Sequence, residues 1–241
     1  MSDLIETMRQ RKSTRVAFDP HHTISEEDIR KIVEAARWAP TPHNMQNFEI
    51  LLVDDRALIR SLGKITSRVS EEFIRENYEQ LSFSRQELSR KKVGILGEYF
   101  PATWKNPAKF RTLARESPPM PLSETVDGSP LLLVVLYDRT KRAPASKGDF
   151  LGTLGLGCVM ESIWLMATHL GIAVQVMSVF GGGLVEKQVR RVLGVPSHMK
   201  VGFAMRLGYP VHTLRGYPRV RRDARALVYR NGYGPDKQGF G

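Results

Sequence analysis

Cysteine is nearly absent from this sequence, because Cys158 is the only one among 241 residues. One cysteine cannot form a disulfide within the chain, which is typical of proteins from a reducing compartment, so we predict a cytoplasmic protein. The first residues, MSDLIE, lack the basic and apolar segments of a signal peptide, and none is expected. No stretch approaches the roughly 18 apolar residues of a membrane helix. A membrane partner is therefore not expected either.

Acidic residues are scarce relative to basic ones. The chain has 25 Asp and Glu residues against 36 Lys and Arg residues, which gives a formal net charge of +11. Such a surplus attracts anions. The partners that fit this charge are nucleic acid, nucleotide cofactors, phosphorylated ligands and acidic small molecules, and charge alone does not choose among them.

The motifs of several common site types are missing. His43 has no second histidine, cysteine or carboxylate at metal-ligand spacing, and no G-x-S-x-G nucleophile motif occurs. Aromatic and basic residues are interleaved over 99–111, but no RNP, OB, KH or zinc-finger pattern accompanies them. The glycines of GTLGLG (152–157) are in the wrong order for a dinucleotide fingerprint and indicate close helix packing instead. We predict no metal site, no catalytic triad and no nucleic-acid partner.

Hydrophobic periodicity predicts a mixture of helices and strands. Helices are predicted at 3–11, 25–39, most of 57–92, 149–170 and 185–193. Strands are predicted at 48–53, 131–137, 172–180 and 201–207. We find no internal repeat and no clear linker. The prediction is therefore one domain over 1–241, with a helical insertion at about 64–125 and a C-terminal extension from about 211.

Three segments concentrate polar or basic groups. RQRKSTR (9–15) puts four basic residues and two hydroxyls after the first helix, which suits a phosphate but also a solvated helix end. In WAPTPHNMQNF (38–48), Asn44 and Gln46 either match the edge of a flat heterocycle or bond within the turn. The arginines of 219–230 form a solvated tail or close an anion site together with the first segment.

In this order the segments resemble the FMN-dependent nitroreductase family. RKSTR (11–15) is similar to the family's Arg-Arg-Ser-x-Arg motif, and APTPHNMQNF (39–48) is similar to its Ala-Pro-Ser-x-x-Asn-x-Gln-Pro-Trp loop. The match is poor over 64–125. The resemblance implies an α+β fold, with a mainly antiparallel central sheet flanked by helices, in an intertwined homodimer. Two FMN molecules would lie at the subunit interface.

The resemblance also implies which residues bind FMN. Arg11, Lys12 and Ser13 would hold its phosphate and ribityl end. Arg15 would lie at the pyrimidine edge, where a cation stabilises the negative charge that reduction places near N1 and C2=O. The loop residues implied to reach the FMN of the other subunit are Pro40, Thr41, Pro42 and Asn44.

Two further groups complete the implied site. The backbone of Met177, Ser178 and Val179 would face the flavin ring near N5, and Arg219 and Arg221 would return to the phosphate. The sequence departs from the family motif where Asn47 and Phe48 replace Pro-Trp and where Pro42 replaces a small polar residue. These departures indicate either a different substrate or a divergent branch.

The implied activity is that of a flavin oxidoreductase, in which a hydride passes from NAD(P)H through flavin N5 to a small oxidised acceptor, such as a nitroaromatic or a quinone. The flavin carries the chemistry, so no catalytic side chain is predicted. Other flavin chemistry stays open: heterocycle dehydrogenation, reductive dehalogenation or flavin cleavage. A non-catalytic basic module that binds a phospholigand or nucleic acid is the alternative from another class. Neither the physiological substrate nor the choice between NADH and NADPH follows from the sequence.

Overall fold

The computed structural model describes residues 3–81, 83–97, 100–212 and 219–234. The chain forms two compact units. The first consists of Met1–Arg68 and Pro119–Leu214, and the second of Val69–Pro118 and Arg215–Gly241. The organisation as one domain with an insertion stays a prediction.

The first unit is built on an antiparallel sheet, which confirms the expected sheet type. Its strands are β1 (Phe48–Val53), β2 (Thr66–Ser67), β3 (Met120–Pro121), β4 (Leu131–Asp138), β5 (Ala173–Met177) and β6 (Met199–Gly208). Four of them pair in the order β1-β4-β6-β5, all antiparallel. β2 and β3 form a separate antiparallel pair. β5 is therefore an edge strand of the main sheet.

Helices of the first unit cover both faces of this sheet, and the second unit has helices of its own. Those of the first unit are α1 (Leu4–Gln10), α2 (Glu26–Arg37), α3 (Arg56–Gly63), α7 (Ser123–Val126), α8 (Phe150–His169) and α9 (Gly183–Val192). Those of the second unit are α4 (Glu71–Glu79), α5 (Arg85–Lys91) and α6 (Phe110–Glu116). Buried residues of α2 and α8 form one cluster with the sheet, and buried residues of α3, α7 and α9 form another.

β4 contacts both clusters, which explains its unbroken apolar sequence. Leu131, Leu133 and Val135 lie in the α2–α8 cluster. The alternate residues, such as Leu132 and Val134, lie in the α3–α7–α9 cluster. Successive side chains of a strand point to opposite faces, so a central strand that is covered on both sides needs an apolar residue at every position.

α8 has a narrow buried stripe on an otherwise apolar helix. Its fully buried residues recur every fourth position, at Gly155, Val159, Ile163 and Ala167. By length and composition it is the one helix among the described residues that could cross a membrane, although no such segment was expected. Its stripe packs in the α2–α8 cluster, and a core helix passes the same test of length and composition.

The second unit has its own small core. Ile74, Tyr78, Ile95 and Phe110 are buried together. The predicted helix over 57–92 is broken into α3, α4 and α5, with β2 between the first two. Two serines start the later helices: Ser70 caps α4, and Ser84 forms a capping box with Glu87 on α5.

The N-terminus of α2 offers a local test of the fold. Ser25 is the N-cap, and its hydroxyl oxygen accepts a hydrogen bond from the backbone N–H of Asp28 at 3.1 Å. We expect Ser25→Ala to lower the free energy of unfolding by about 1 kcal/mol, because this N–H loses its acceptor. Urea unfolding followed by far-UV circular dichroism measures the change. Ser25→Asn keeps an acceptor and serves as the control, so equal losses in the two variants would contradict the capping role.

Candidate functional site

The basic segment of residues 11–15 lies along the edge strand β5. The backbone N–H of Thr14 donates to the carbonyl oxygen of Val174 at 2.8 Å, and Ser13 forms a parallel bridge with Val174. Because the two segments are parallel, the residues after Ser13 run in the same direction as β5, toward Met177. Two of the predicted ligand-binding segments, 11–15 and 177–179, thus belong to the same edge of the sheet.

The basic side chains of this segment differ in exposure and in their contacts. Lys12 and Arg15 are exposed, and no ion pair joins either to a carboxylate within the part of the chain that the structure describes. Arg11 is partly buried: its Nε lies 3.1 Å from Glu161 Oε1, and its guanidinium lies 4.7 Å from the centre of the Trp164 ring. The predicted phosphate-binding role of Arg11 stays a prediction, and it would require a second partner beside Glu161.

The turn after β5 presents backbone donors. β5 ends at Met177, earlier than the predicted end at residue 180, because residues 178–181 form a 3₁₀ turn that buries Phe180. The first N–H groups of such a turn have no acceptor within it. Met177 and Phe180 are buried and anchor the turn, whereas Ser178 is exposed. N–H groups without an acceptor in the turn, on the same sheet edge as two exposed cations, match an anionic, hydrogen-bonding ligand.

The loop of residues 41–46 satisfies many of its polar groups internally. Gln46 Nε2 donates to Asn44 Oδ1 at 3.0 Å, and Gln46 N–H donates to Thr41 Oγ1 at 3.1 Å. The Asn44–Gln46 pair therefore bonds within the turn, so this alternative holds rather than recognition of a heterocycle by both amides. His43, Asn44 and Gln46 have φ of 51°, 52° and 45°. Non-glycine residues rarely adopt positive φ, and such strain concentrates at functional sites.

This loop is seated on α8 of the same chain. A Cβ on Gly155 would lie 3.0 Å from Pro42 Cδ and 3.7 Å from Thr41 Cα. The close packing predicted for the glycines of 152–157 is thus present at Gly155. A Cβ on Gly157 would meet nothing within 4 Å, so Gly157 makes no such contact with the described residues. Pro40 and Asn44 are exposed and accessible to a ligand or a second chain.

Asn47, one of the departures from the family motif, is buried and structural. Its Nδ2 donates to the carbonyl oxygen of Lys141 at 3.3 Å, and its own carbonyl oxygen accepts from the N–H of Asp138 at 2.9 Å. Phe48 begins β1 and packs against the α2–α8 cluster. These contacts join the loop to the end of β4. A changed substrate preference at this position stays a prediction.

The predicted arginines of the tail belong to the second unit. Arg219 and Arg221 are exposed, and Arg221 Nη1 donates to the carbonyl oxygen of Val220 at 2.7 Å. Their approach to the phosphate stays a prediction.

His43, the histidine of the loop, is exposed, and no group of three or more potential metal ligands lies within residues 3–81, 83–97, 100–212 and 219–234.

A cavity of about 510 Å³ lies beside the turn that follows β5. Its lining includes Tyr137, Gly181, one acidic residue and four basic ones, which are Glu186, Arg139, Lys187, Arg190 and Lys200. Burial, and then the charge of Asp149, raises the pKa of Tyr137, so its hydroxyl stays protonated at neutral pH. The cavity thus combines an excess of positive charge with a protonated tyrosine hydroxyl.

Residues 8–209 match the model of the nitroreductase family. The chain belongs to this family. The match covers the edge of β5, the loop of residues 41–46 and the turn after β5. No match is found among curated proteins.

Solved structures of nitroreductases share this fold. An FMN-dependent nitroreductase from Clostridium difficile R20291 is 18% identical, with a TM-score of 0.60, and the alignment covers 95% of this chain and 99% of that one. A nitroreductase with bound FMN from Bacteroides fragilis NCTC 9343 is 20% identical, with a TM-score of 0.56 and coverages of 92% and 96%. A nitroreductase with bound FMN from Desulfitobacterium hafniense DCB-2 is 21% identical, with a TM-score of 0.54 and coverages of 92% and 95%. At these identities the likeness establishes the nitroreductase fold.

Sequence reasoning missed Glu161, the partner of Arg11, and Arg206. Arg206 of β6 is 4% exposed, and its guanidinium donates hydrogen bonds to the carbonyl oxygens of Thr14 and Val16, on either side of Arg15. The only signal in the sequence is a single arginine inside the apolar strand VGFAMRLG (201–208).

Proposed function

We propose that the protein is an FMN-dependent oxidoreductase that passes a hydride from NAD(P)H to a small oxidised acceptor, such as a nitroaromatic or a quinone. The observation that carries the proposal is the bond between Thr14 and Val174, which aligns the basic segment with the turn after β5. Family membership and the FMN bound in similar nitroreductases support the choice of cofactor.

The residues at this edge fit the chemistry of FMN. Lys12 and Ser13 offer a cation and a hydroxyl for the phosphate and ribityl end, and Arg15 offers a cation for the pyrimidine edge. Ser178 and Val179 offer N–H groups for the polar edge of the ring. When bound, FMN supplies the redox chemistry by accepting a hydride at N5 and passing it on. The side chains then bind and orient, and none of them has to transfer a proton for the hydride to move.

We also propose that the protein acts as a homodimer. α8 leaves Phe150 and Leu154 exposed, and α1 leaves Leu4 and Ile5 exposed. Exposed apolar side chains in groups mark interaction surfaces. In such a dimer Pro40, Thr41, Pro42 and Asn44 would reach the FMN of the partner, as the family resemblance implies. A small-molecule substrate, a cytoplasmic location, and the absence of nucleic-acid and membrane partners complete the proposal.

The visible spectrum of the purified protein tests the cofactor. We expect a yellow protein that releases FMN on heating, identified by chromatography against FAD and riboflavin. If the protein is purified without cofactor, FMN at a hundred times its Kd should stabilise it by about 2.7 kcal/mol in a thermal-shift assay. A colourless protein that FMN does not stabilise would contradict the proposal.

The reaction is tested by anaerobic reduction. NADH and NADPH are each added to the FMN-loaded protein, and bleaching of the visible bands is followed before and after adding a nitroaromatic or a quinone. We expect bleaching by at least one nicotinamide and recovery of colour on adding the acceptor. FMN binding without bleaching would favour heterocycle dehydrogenation, reductive dehalogenation or flavin cleavage. Gel-shift binding of nucleic acid without FMN binding would favour a non-catalytic module.

A further inference from the structure

Arg206 is bonded to three separate elements. Its Nε donates to Gln175 Oε1 on β5 at 2.8 Å, and its Nη1 donates to the carbonyl oxygen of Thr125 on α7 at 2.9 Å. Its Nη2 donates to the carbonyl oxygens of Thr14 at 3.3 Å and Val16 at 2.7 Å. A single guanidinium thus joins the basic segment to the sheet and to a helix.

The charge of Arg206 has no counterion among the described carboxylates. Its guanidinium lies 4.3 Å from the centre of the Phe18 ring, and the other bonds that it makes are to neutral oxygens. Burial lowers the pKa of Arg206 to about 10, so the group is still charged at neutral pH. A buried charge without a counterion is costly. Its neighbours Met205 and Leu207 are apolar and buried, so an apolar residue would suit the strand at lower cost.

In return for the cost of its buried charge, Arg206 fixes the backbone of the basic segment. Thr14 is buried and Arg15 is exposed, so the Arg15 side chain points outward between two peptides whose oxygens Arg206 fixes. The backbone on both sides of Arg15 therefore has little freedom. A side chain on a fixed backbone loses less conformational entropy when it binds a ligand.

We propose that Arg206 is a positioning residue for the cofactor site, which holds Arg15 in its binding position and adds a second positive charge behind it. The inference rests on the proposed FMN-binding function. It implies two effects of Arg206 on FMN. The fixed Arg15 strengthens binding, and the two positive charges favour the extra negative charge that reduction adds.

Arg206→Met tests the inference, with Arg56→Met as the matched control. Arg56 also donates to two backbone carbonyls of the first unit, those of Ser129 and Asp127, but not to the basic segment. Both variants lose arginine–carbonyl bonds, so both should be less stable. FMN titration by fluorescence and the midpoint potential by dye equilibration are then measured at a temperature where circular dichroism shows each variant folded.

We expect Arg206→Met to raise the Kd for FMN about tenfold and Arg56→Met to leave it within about twofold. Arg206→Met should also lose about tenfold in preference for reduced over oxidised FMN, which equals about 30 mV for a two-electron couple. Arg206→Lys keeps the positive charge but lacks the planar guanidinium that donates to several carbonyls at once. This variant should bind FMN about tenfold more weakly with an unchanged midpoint potential. It also serves as the test if Arg206→Met does not fold.

The outcomes separate this inference from the proposed function. If the wild-type protein binds no FMN, both are overturned. If the wild-type protein binds FMN and the folded Arg206 variants match its Kd and potential, only the positioning role is overturned. Equal losses of FMN affinity in Arg206→Met and Arg56→Met would reduce Arg206 to a general stabilising residue and would also overturn the inference.

Discussion

Arg15→Ala is expected to raise the Kd for FMN about a hundredfold while changing the free energy of unfolding by less than about 0.5 kcal/mol. The effect on binding exceeds the effect on stability because the Arg15 side chain is exposed and makes no hydrogen bond or ion pair within the described residues. The side chain thus contributes little to the fold, whereas a charge-assisted hydrogen bond to a ligand is worth about 1.5–3 kcal/mol. Fluorescence titration with FMN and urea unfolding measure the two quantities.

Arg9→Ala is the matched control for Arg15→Ala. It removes the same charge from the last turn of α1, six residues before Arg15, and the Arg9 side chain is 73% exposed with a weak ion pair of 3.9 Å to Glu6. A general effect of net charge would weaken FMN binding equally in both variants, and salt would remove the difference from wild type. Equal Kd values in the two variants would therefore refute the specific role of Arg15. A Kd unchanged from wild type in Arg15→Ala would refute it as well.

Leu154→Glu is expected to convert the proposed homodimer into a monomer that has lost most of its FMN. Leu154 is 51% exposed in the single chain, so the substitution should leave its fold intact. At an apolar interface the carboxylate would lose its hydration, at a cost of several kcal/mol, which corresponds to a rise of roughly a thousandfold in the dimer Kd. Size-exclusion chromatography with light scattering gives the mass, and the visible spectrum gives the FMN content.

Leu58→Glu provides the comparison for the interface. Leu58 is 40% exposed and lies on α3. The substitution therefore introduces the same charge elsewhere on the first unit. We expect this variant to stay dimeric and yellow. A dimer that survives Leu154→Glu would remove α8 from the interface. A monomer that keeps its full FMN content would show that one chain completes the site.

Local sequence was sufficient for the elements whose pattern is local. The strand predicted at 48–53 is found at the same residues, and the helix predicted at 149–170 is α8, with bounds Phe150–His169. The strand predicted at 172–180 is shorter because burial of Phe180, a tertiary effect, turns the chain after Met177. The helix predicted over 57–92 is interrupted because Thr66 and Ser67 pair with residues 120–121, which no local window contains.

The candidate site residues likewise divide into those that local sequence predicts and those that depend on tertiary contacts. The motif at 11–15 and the loop at 40–44 were visible because their residues are adjacent in sequence. Arg206 was not, since its importance depends on a strand register that puts it opposite Gln175 and on a segment far away in the sequence. Glu161 was missed for the same reason, because its contact with Arg11 exists only once α8 packs against the N-terminal residues.

The bond between Thr14 and Val174 has a second consequence, for solubility. An edge strand with unpaired backbone groups is a template on which other chains can add a strand and aggregate. The N-terminal segment occupies part of the β5 edge. The residues that we assign to ligand recognition therefore also block the addition of a strand from another molecule. The pairing would protect this edge whether or not a ligand is bound.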